Sequence, residues 1–142
     1  MNKKILITGG LGFIGSALVK SFLETTDHFI INLDKNTYAS SRETLKEYEG
    51  NKNYVYEKKD ICNAVEVEEI FKTYKPDLVF HLAAESHVDN SIESPIDFLN
   101  TNILGTYNLL MSSLNLLEVK KEKNFIFHHV STDEVYGDLG FG

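Results

Sequence analysis

The sequence predicts a doubly wound α/β fold, in which a parallel sheet is covered by helices on both faces. Short runs that are apolar throughout alternate along the chain with amphipathic stretches of helical spacing, and continuous apolar runs are typical of strands buried on both faces. A glycine-rich turn follows the first run. An aspartate ends the second run about 20 residues later, as in a dinucleotide-binding unit.

The elements follow one another in the order that such a fold requires. Apolar runs predict strands at residues 4–8, 29–33, 54–56, 78–82 and 125–130. Apolar residues three, four or seven apart predict helices at residues 14–23 and 65–74, and a long helix from Ser91 to Val119. The long helix carries one continuous apolar face, made of Ile92, Ile96, Leu99, Ile103, Leu110, Leu114 and Leu117. Helices that connect parallel strands imply right-handed crossovers.

The chain is expected to be one dinucleotide-binding domain over residues 1–142, cut short after its fifth strand. A length of 142 residues allows a single domain and is enough to bury a core. A dinucleotide fold of two halves has a sixth strand, whereas only about a dozen residues follow the fifth predicted strand.

Composition and charge exclude several classes of protein. Hydrophobic residues make up 42% and charged residues 25% of the chain, unlike disordered or fibrous proteins. The net charge of −7 argues against nucleic acid as a partner, because binding a phosphate backbone needs a basic face. Cys62 is the single cysteine, and no apolar run suits a signal peptide or a membrane span. We therefore expect a cytoplasmic protein that does not contact membranes.

The glycine-rich turn is the first candidate site. Residues 8–15 read Thr-Gly-Gly-Leu-Gly-Phe-Ile-Gly, and such glycines let backbone N–H groups approach a pyrophosphate at the positive end of the next helix. A plain tight turn is the alternative. Asp34 at the end of the second strand favours the dinucleotide, because a carboxylate there accepts hydrogen bonds from the ribose hydroxyls of NAD and repels the 2′-phosphate of NADP. Lys35, one position on, softens that preference.

Polar residues also end the third and fourth predicted strands. Asp60 and Ile61 lie where a carboxylate can accept a hydrogen bond from an adenine amino group and an aliphatic chain can cover the ring; a helix N-cap explains Asp60 equally well. His81 is expected to be structural, whereas His87 stays open to either role. The small residues after His81 let the chain pass close to a dinucleotide. No histidine pair has metal-ligand spacing, so no metal is predicted.

Two neighbouring carboxylates, Asp133 and Glu134, follow the fifth strand within Ser-Thr-Asp-Glu-Val-Tyr-Gly at residues 131–137. A solvated turn is one interpretation. The other is an acid–base pair in which one carboxyl group is protonated and its neighbour is ionised.

Four stretches together resemble the N-terminal part of the dTDP-glucose 4,6-dehydratase family of extended short-chain dehydrogenases/reductases, whose fold is of the Rossmann type. They are residues 8–15, 34–39, 82–89 and 131–137. Ala-Ala-Glu-Ser-His-Val-Asp and Ser-Thr-Asp-Glu-Val-Tyr-Gly-Asp are typical of nucleotide-sugar 4,6-dehydratases, whereas the glycine motif marks only the superfamily. The likeness covers the whole chain but under half of the usual family length.

The resemblance implies a three-stage reaction on dTDP-glucose that makes dTDP-4-keto-6-deoxyglucose for rhamnose-type deoxysugars. Hydride leaves C4 for NAD, water is eliminated across C5–C6, and the hydride returns to C6. By the same resemblance Thr132 holds the C4 hydroxyl, Asp133 protonates the departing C6 hydroxyl, and Glu134 removes the C5 proton. The implied NAD site comprises, with the glycines of the turn, Gly9, Gly12, Phe13, Ile14, Gly15, Asp34, Lys35, Asn36, Thr37, Asp60, Ile61, Leu82, Ala83, Ala84, Glu85, Ser86 and Thr101. Ser86 also lies near substrate.

The resemblance further implies a homodimer in which the long helix, residues 91–119, packs at the interface. The family's catalytic Tyr-x-x-x-Lys falls beyond residue 142, so these 142 residues alone are expected to be inactive. A UDP- or CDP-glucose 4,6-dehydratase and a nucleotide-sugar epimerase or decarboxylase are the alternatives within the class. From another class, a non-catalytic NAD-binding module whose long helix recruits a partner also fits.

Overall fold

Five parallel strands form one sheet in the order β3-β2-β1-β4-β5. The computed structural model describes residues 2–38, 40–87, 92, 94–120, 124–137 and 140. The strands are β1 (Lys4–Thr8), β2 (Phe29–Leu33), β3 (Tyr54–Glu57), β4 (Leu78–His81) and β5 (Ile126–His129). The strand order reverses between β1 and β4, which opens a crevice at their carboxyl ends. The predicted Rossmann-type α/β fold is confirmed.

The helices lie where the apolar spacing predicts them, with adjustments at their ends. They are α1 (Phe13–Thr25), α2 (Ala64–Tyr74), α3 (Pro95–Phe98) and α4 (Thr106–Lys120), and a π-helical segment, Leu99–Gly105, joins the last two. The predicted long helix thus runs continuously over residues 95–120. Its continuous part begins at Pro95, which is favoured in a first helical turn. The predicted start, Ser91, lies outside the described residues.

Two short 3₁₀ helices, Arg42–Tyr48 and Asp133–Tyr136, were not predicted from the sequence. Helical periodicity is hard to detect in so few residues, and runs of this kind are short by nature. The first of them still contributes to the core, because Leu45 is buried.

The core lies on both faces of the central strand β1. One cluster joins Leu6 to the helices α2 and α4 through Val67, Ile70 and Leu109. The other joins Ile5 and Ile7 to α1 through Val19. Because β1 is buried on both sides, its carboxyl end and the turn that follows it are held in a fixed position.

The outer strand β5 departs from the expectation that every strand is covered on both faces. It pairs with β4 alone among the described strands, and three of its four residues are exposed, Ile126 among them at 54%. An apolar run therefore did not distinguish a central strand from one at the sheet edge.

The long helix turns its apolar face outward. Five of the predicted face residues are between 43% and 62% exposed: Ile96, Leu99, Ile103, Leu110 and Leu114. The buried face combines Leu109 and Leu116 with small or polar residues, namely Thr101, Gly105, Asn108, Ser112 and Ser113. The apolar stripe is therefore available to a surface other than the core of the described residues.

Candidate functional site

A cleft opens at the carboxyl ends of β1 to β4, where the turns after these strands meet the π segment. Its lining residues are Gly9, Gly12, Leu33, Asp34, Lys35, Thr37, Ser40, Lys59, Asp60, Ile61, Leu82, Ala83, Ala84, Glu85, Ser86, His87 and Thr101. Most of the predicted cofactor residues are thus brought together. Phe13, Ile14, Gly15 and Asn36 are not among them, whereas Leu33, Ser40, Lys59 and His87 line the cleft without having been predicted to do so.

Three glycines of the turn are each required, or favoured, by a different steric constraint. Gly9 has φ +70°, and a Cβ there would lie 2.7 Å from the backbone nitrogen of Ala83. A Cβ on Gly15 would collide with the carbonyl oxygen of Gly9. At Gly12, by contrast, the nearest atom to an added Cβ is the Gly9 carbonyl oxygen at 3.3 Å. Gly9 and Gly15 allow the turn to pack against Ala83 and against itself. Gly12 lines the cleft without a side chain, so a ligand can approach the backbone there.

The N-terminus of α1 lies at the cleft and is suited to bind an anion. Gly12 is its N-cap residue, and no side chain caps the helix. Uncapped N–H groups at the positive end of a helix attract phosphate groups. Gly15 lies inside this packing, while Phe13 and Ile14 are exposed at 95% and 65% and are not among the residues that line the cleft.

Asp34 ties the glycine turn to the loop after β2. Its carboxylate accepts hydrogen bonds from the N–H groups of Leu11 (3.0 Å) and Asn36 (2.7 Å), and the residue is almost fully buried. Asn36 itself has φ +60°, a left-handed conformation that asparagine adopts more readily than most residues. Both Asp34 oxygens are therefore positioned before any ligand arrives.

Asp60 and Ile61 line the cleft as predicted, and the alternative role for Asp60 is wrong. The N-cap of α2 is Asn63, whose side-chain oxygen accepts from the N–H groups of Val65 and Glu66. The Asp60 carboxylate instead accepts from the Cys62 N–H at 2.9 Å. Ile61 packs against the π segment, where a Cβ on Gly105 would lie 2.6 Å from its side chain.

Asn102, which the sequence analysis missed, holds the loop after β4. Its side-chain oxygen accepts from the Glu85 N–H and its amide donates to the Glu85 carbonyl, both at 2.9 Å. An asparagine inside a helix is a poor helix former, and this was the one available signal. The pair of bonds fixes the loop that carries Ala83, Ala84 and Ser86 along the cleft.

His81 is buried beneath the same loop, in agreement with a structural role. Its Nδ1 lies 2.7 Å from the Thr8 hydroxyl and its Nε2 lies 2.9 Å from the Thr106 hydroxyl. Thr8 Oγ1 also accepts from the Ala83 N–H, and Thr106 donates to the Asn102 carbonyl. Burial, together with the neighbouring His129, lowers the pKa of His81 to about 4, so the imidazole is neutral at pH 7.

Lys35 reaches across the cleft. Its Nζ lies 3.4 Å from the Thr101 hydroxyl, 3.6 Å from a Glu85 carboxylate oxygen and 3.9 Å from an Asp60 carboxylate oxygen. The other lysine of the cleft, Lys59, places its amine 3.1 Å from Glu69 on α2. One cation therefore links the loops after β2, β3 and β4 to the π segment.

Of the predicted catalytic residues, Thr132 and Asp133 lie at the same edge of the sheet and are not among the residues that line the cleft. Thr132 and Asp133 follow β5 and are exposed, and the Glu134 side chain lies outside what the structure describes. The Val130 N–H donates to the His81 carbonyl at 3.0 Å, so this stretch starts beside the end of β4. Ser86 and His87, which follow β4, line the cleft.

Among the described residues, no group of three or more His, Cys, Asp and Glu side chains is placed to hold a metal ion. None of the helices in the described ranges combines the length and the apolar character needed to cross a bilayer.

Residues 6–141 match the family model described as GDP-mannose 4,6 dehydratase. Among curated relatives, the dTDP-glucose 4,6-dehydratase of Haemophilus influenzae is 55% identical over 138 residues, which is 95% of this chain and 41% of that protein. The dTDP-glucose 4,6-dehydratase 1 of Escherichia coli K12 is 52% identical over 96% of this chain and 38% of its own length. The chain thus spans about two fifths of the length of these relatives.

Solved structures show the same fold. The dTDP-glucose 4,6-dehydratase of Streptomyces venezuelae, crystallised with NAD, superposes with a TM-score of 0.82 and 35% identity over 98% of this chain and 42% of that one. The UDP-Glc/GlcNAc 4-epimerase of Campylobacter jejuni gives a TM-score of 0.83 and 29% identity over 99% and 40% of the two chains. Backbone similarity therefore does not separate dehydratases from epimerases.

Proposed function

The chain belongs to the GDP-mannose 4,6 dehydratase family, and from this premise we propose that it binds NAD in the cleft and forms the N-terminal part of a dTDP-glucose 4,6-dehydratase. The observation that carries the proposal is the meeting, in one cleft, of an uncapped helix N-terminus and the buried carboxylate of Asp34. Identities of 52% and 55% to dTDP-glucose 4,6-dehydratases support the choice of substrate.

The residues of the cleft fit NAD part by part. The pyrophosphate suits the N-terminus of α1 beside Gly12, where no side chain intervenes. Asp34 can accept hydrogen bonds from the adenosine ribose, and its charge opposes the 2′-phosphate of NADP. Asp60 and Ile61 suit the adenine. When bound, NAD supplies reversible hydride transfer to and from the sugar.

The proposed elimination uses the three residues after β5. Thr132 hydrogen-bonds the C4 hydroxyl of the sugar, and a ketone at C4 makes the C5 proton acidic. The Glu134 carboxylate takes that proton, and the freed electron pair forms the C5–C6 double bond. The C6–O bond breaks as Asp133 donates a proton to the departing hydroxyl, which leaves as water. This requires Asp133 protonated and Glu134 ionised.

A homodimer formed through the long helix and a cytoplasmic location complete the proposal. The outward apolar stripe of residues 96–114 offers a surface for a second copy of the chain. With Cys62 as the single cysteine, the chain has no internal disulfide to form and suits a reducing compartment. The adjacent Asp133 and Glu134 favour a dehydratase over an epimerase, because epimerisation eliminates no water.

Binding is tested by calorimetric titration of the chain with NAD. We expect a dissociation constant in the micromolar range, on the order of −8 kcal/mol in binding free energy. The Gly12→Ala variant should weaken binding about tenfold by raising the cleft wall, with little change in thermal midpoint. Gly140→Ala is the control, since a Cβ there meets nothing within 4 Å. A chain that binds no NAD would refute the proposed cofactor site.

Activity is tested in the protein as its cell makes it, with dTDP-glucose as substrate. Asp133→Asn and Glu134→Gln should each lower kcat by roughly 10²-fold or more, as loss of an acid–base group does. Asp133→Asn should leave NAD affinity unchanged, since Asp133 is not among the residues that line the cleft. Undiminished water elimination by the Glu134→Gln variant would rule out the assigned base. Stable NAD binding without turnover would favour the interaction module.

A further inference from the structure

An anionic ligand in the cleft would face negatively charged side chains. Three carboxylates line it, those of Asp34, Asp60 and Glu85. The Asp34 carboxylate is balanced by two backbone N–H donors. An anionic dinucleotide that enters past Asp60 and Glu85 meets like charge, which repels it most strongly where water is partly excluded.

Two lysines line the same cleft among the described residues, and they differ in where their amines point. Lys59 places its amine against Glu69 of α2, 3.1 Å away. Lys35 places its amine within 4 Å of both Glu85 and Asp60, and 3.4 Å from the Thr101 hydroxyl. The amine of Lys35 is therefore the cation directed at the two carboxylates that a ligand would face.

The position of Lys35 in the sequence suggests a different role, that of a receptor for a 2′-phosphate, because it directly follows Asp34. In the structure its amine instead contacts side chains of the loops after β3 and β4 and of the π segment. The Glu85 end of this contact is itself fixed, since Asn102 holds both backbone groups of Glu85.

We propose that Lys35 is the charge-compensating residue of the cofactor cleft: its amine offsets Asp60 and Glu85 so that an anionic dinucleotide can enter, and it does not serve as a 2′-phosphate ligand. This inference rests on the proposed function, because it assumes that NAD binds in the cleft. Lys35 acts on the affinity for both dinucleotides, by offsetting the negative charge of the cleft walls.

The first test compares dissociation constants for NAD and NADP, measured by calorimetry on the 142-residue chain. Lys35→Met should weaken NAD about tenfold and NADP at least as much, because the same two carboxylates then repel both ligands and NADP carries the greater negative charge. Lys35→Arg, which keeps the charge, should retain most of the affinity. Lys72→Met is the matched control, since that amine pairs with Glu68 within α2. A loss confined to NADP would overturn the inference and restore the 2′-phosphate role.

A second variant tests the sign of the effect without removing Lys35. Glu85→Gln keeps the backbone groups that Asn102 holds and removes one negative charge, so NAD should bind about threefold more tightly. Adding it to Lys35→Met should recover most of the lost affinity, which a merely structural lysine would not allow. Weaker NAD binding by Glu85→Gln, or an unchanged affinity in Lys35→Met, overturns the role of Lys35 alone. A wild-type chain that binds no NAD overturns the proposed function as well.

Discussion

A single buried histidine connects the first strand to the long helix. His81 lies within hydrogen-bonding distance of the Thr8 hydroxyl through Nδ1 and of the Thr106 hydroxyl through Nε2, and Thr8 Oγ1 also accepts from the Ala83 N–H. Because Thr106 donates its own proton to the Asn102 carbonyl, its oxygen accepts from Nε2–H, and a neutral imidazole then leaves Nδ1 to accept from Thr8. Protonation would add a second donor and charge a group that water does not reach. The cleft thus depends on a buried side chain that is not itself among the residues that line it.

His81 predicts how stability depends on pH. The pKa of about 4 in the folded chain lies below the ordinary 6.5, so the unfolded chain takes up this proton first as pH falls. The free energy of unfolding should therefore keep this contribution above about pH 6.5 and lose about 3 kcal/mol of it by pH 4. Urea unfolding at several pH values measures the loss.

The comparison protein for this prediction is His81→Gln, which cannot titrate. Its free energy of unfolding should fall less steeply between pH 6.5 and 4 than that of the wild type, whatever its stability at pH 7. Equal slopes for the two proteins would show that His81 is not the group responsible.

At the scale of elements, the π segment decides which side chains of the long helix reach the cleft. Over Leu99–Gly105 it presents Thr101 to Lys35, Asn102 to Glu85 and the bare face of Gly105 to Ile61. Single π turns within α-helices are frequent at functional sites. The apolar spacing predicted the helix but not this turn, because a local change of one residue per turn hardly disturbs a pattern spread over 26 residues, 95 to 120.

Asn102→Ala should loosen the loop after β4 without unfolding the chain. Two hydrogen bonds to the Glu85 backbone are lost, each worth on the order of 1 kcal/mol. The Glu85 amide should then exchange its hydrogen roughly tenfold faster, because local opening becomes easier. Hydrogen-exchange NMR measures this. The exposed Asn115 on α4 provides the control, Asn115→Ala; unchanged protection of Glu85 in Asn102→Ala would contradict the assigned role.

At the scale of the whole molecule, the sheet was predictable and parts of the site were not. Apolar runs located all five strands, because buried parallel strands leave a continuous signal. The glycine turn and Asp34 were found because their chemistry depends on local spacing. The contact of Lys35 with Glu85 joins loops that are 50 positions apart, and the role of Asn102 depends on its contact with Glu85, 17 positions earlier in the chain. A single sequence does not show which of its loops come into contact.

The outward apolar stripe leads to a prediction about assembly. If a second copy of the chain covers it, Ile103→Glu should convert a dimer into a monomer, because a buried unpaired carboxylate opposes association. Ile103 is 62% exposed and lies mid-stripe. Sedimentation velocity measures the change. Val65→Glu, at a 65% exposed site on α2, should leave the dimer intact. A wild-type chain that stays monomeric at every concentration would reject the dimer.

The central position of β1 in the sheet also determines the stage of folding at which the cleft can form. Of the described strands β1 is synthesised first, yet its partner β4 is synthesised far later: Thr8 and His81 are 73 positions apart. On a ribosome that adds about 5–20 residues per second, β1 waits several seconds with one side unpaired. The glycine turn cannot settle against Ala83 before β4 docks. Contacts so distant in sequence form slowly, so the ability to bind a ligand is acquired late in folding.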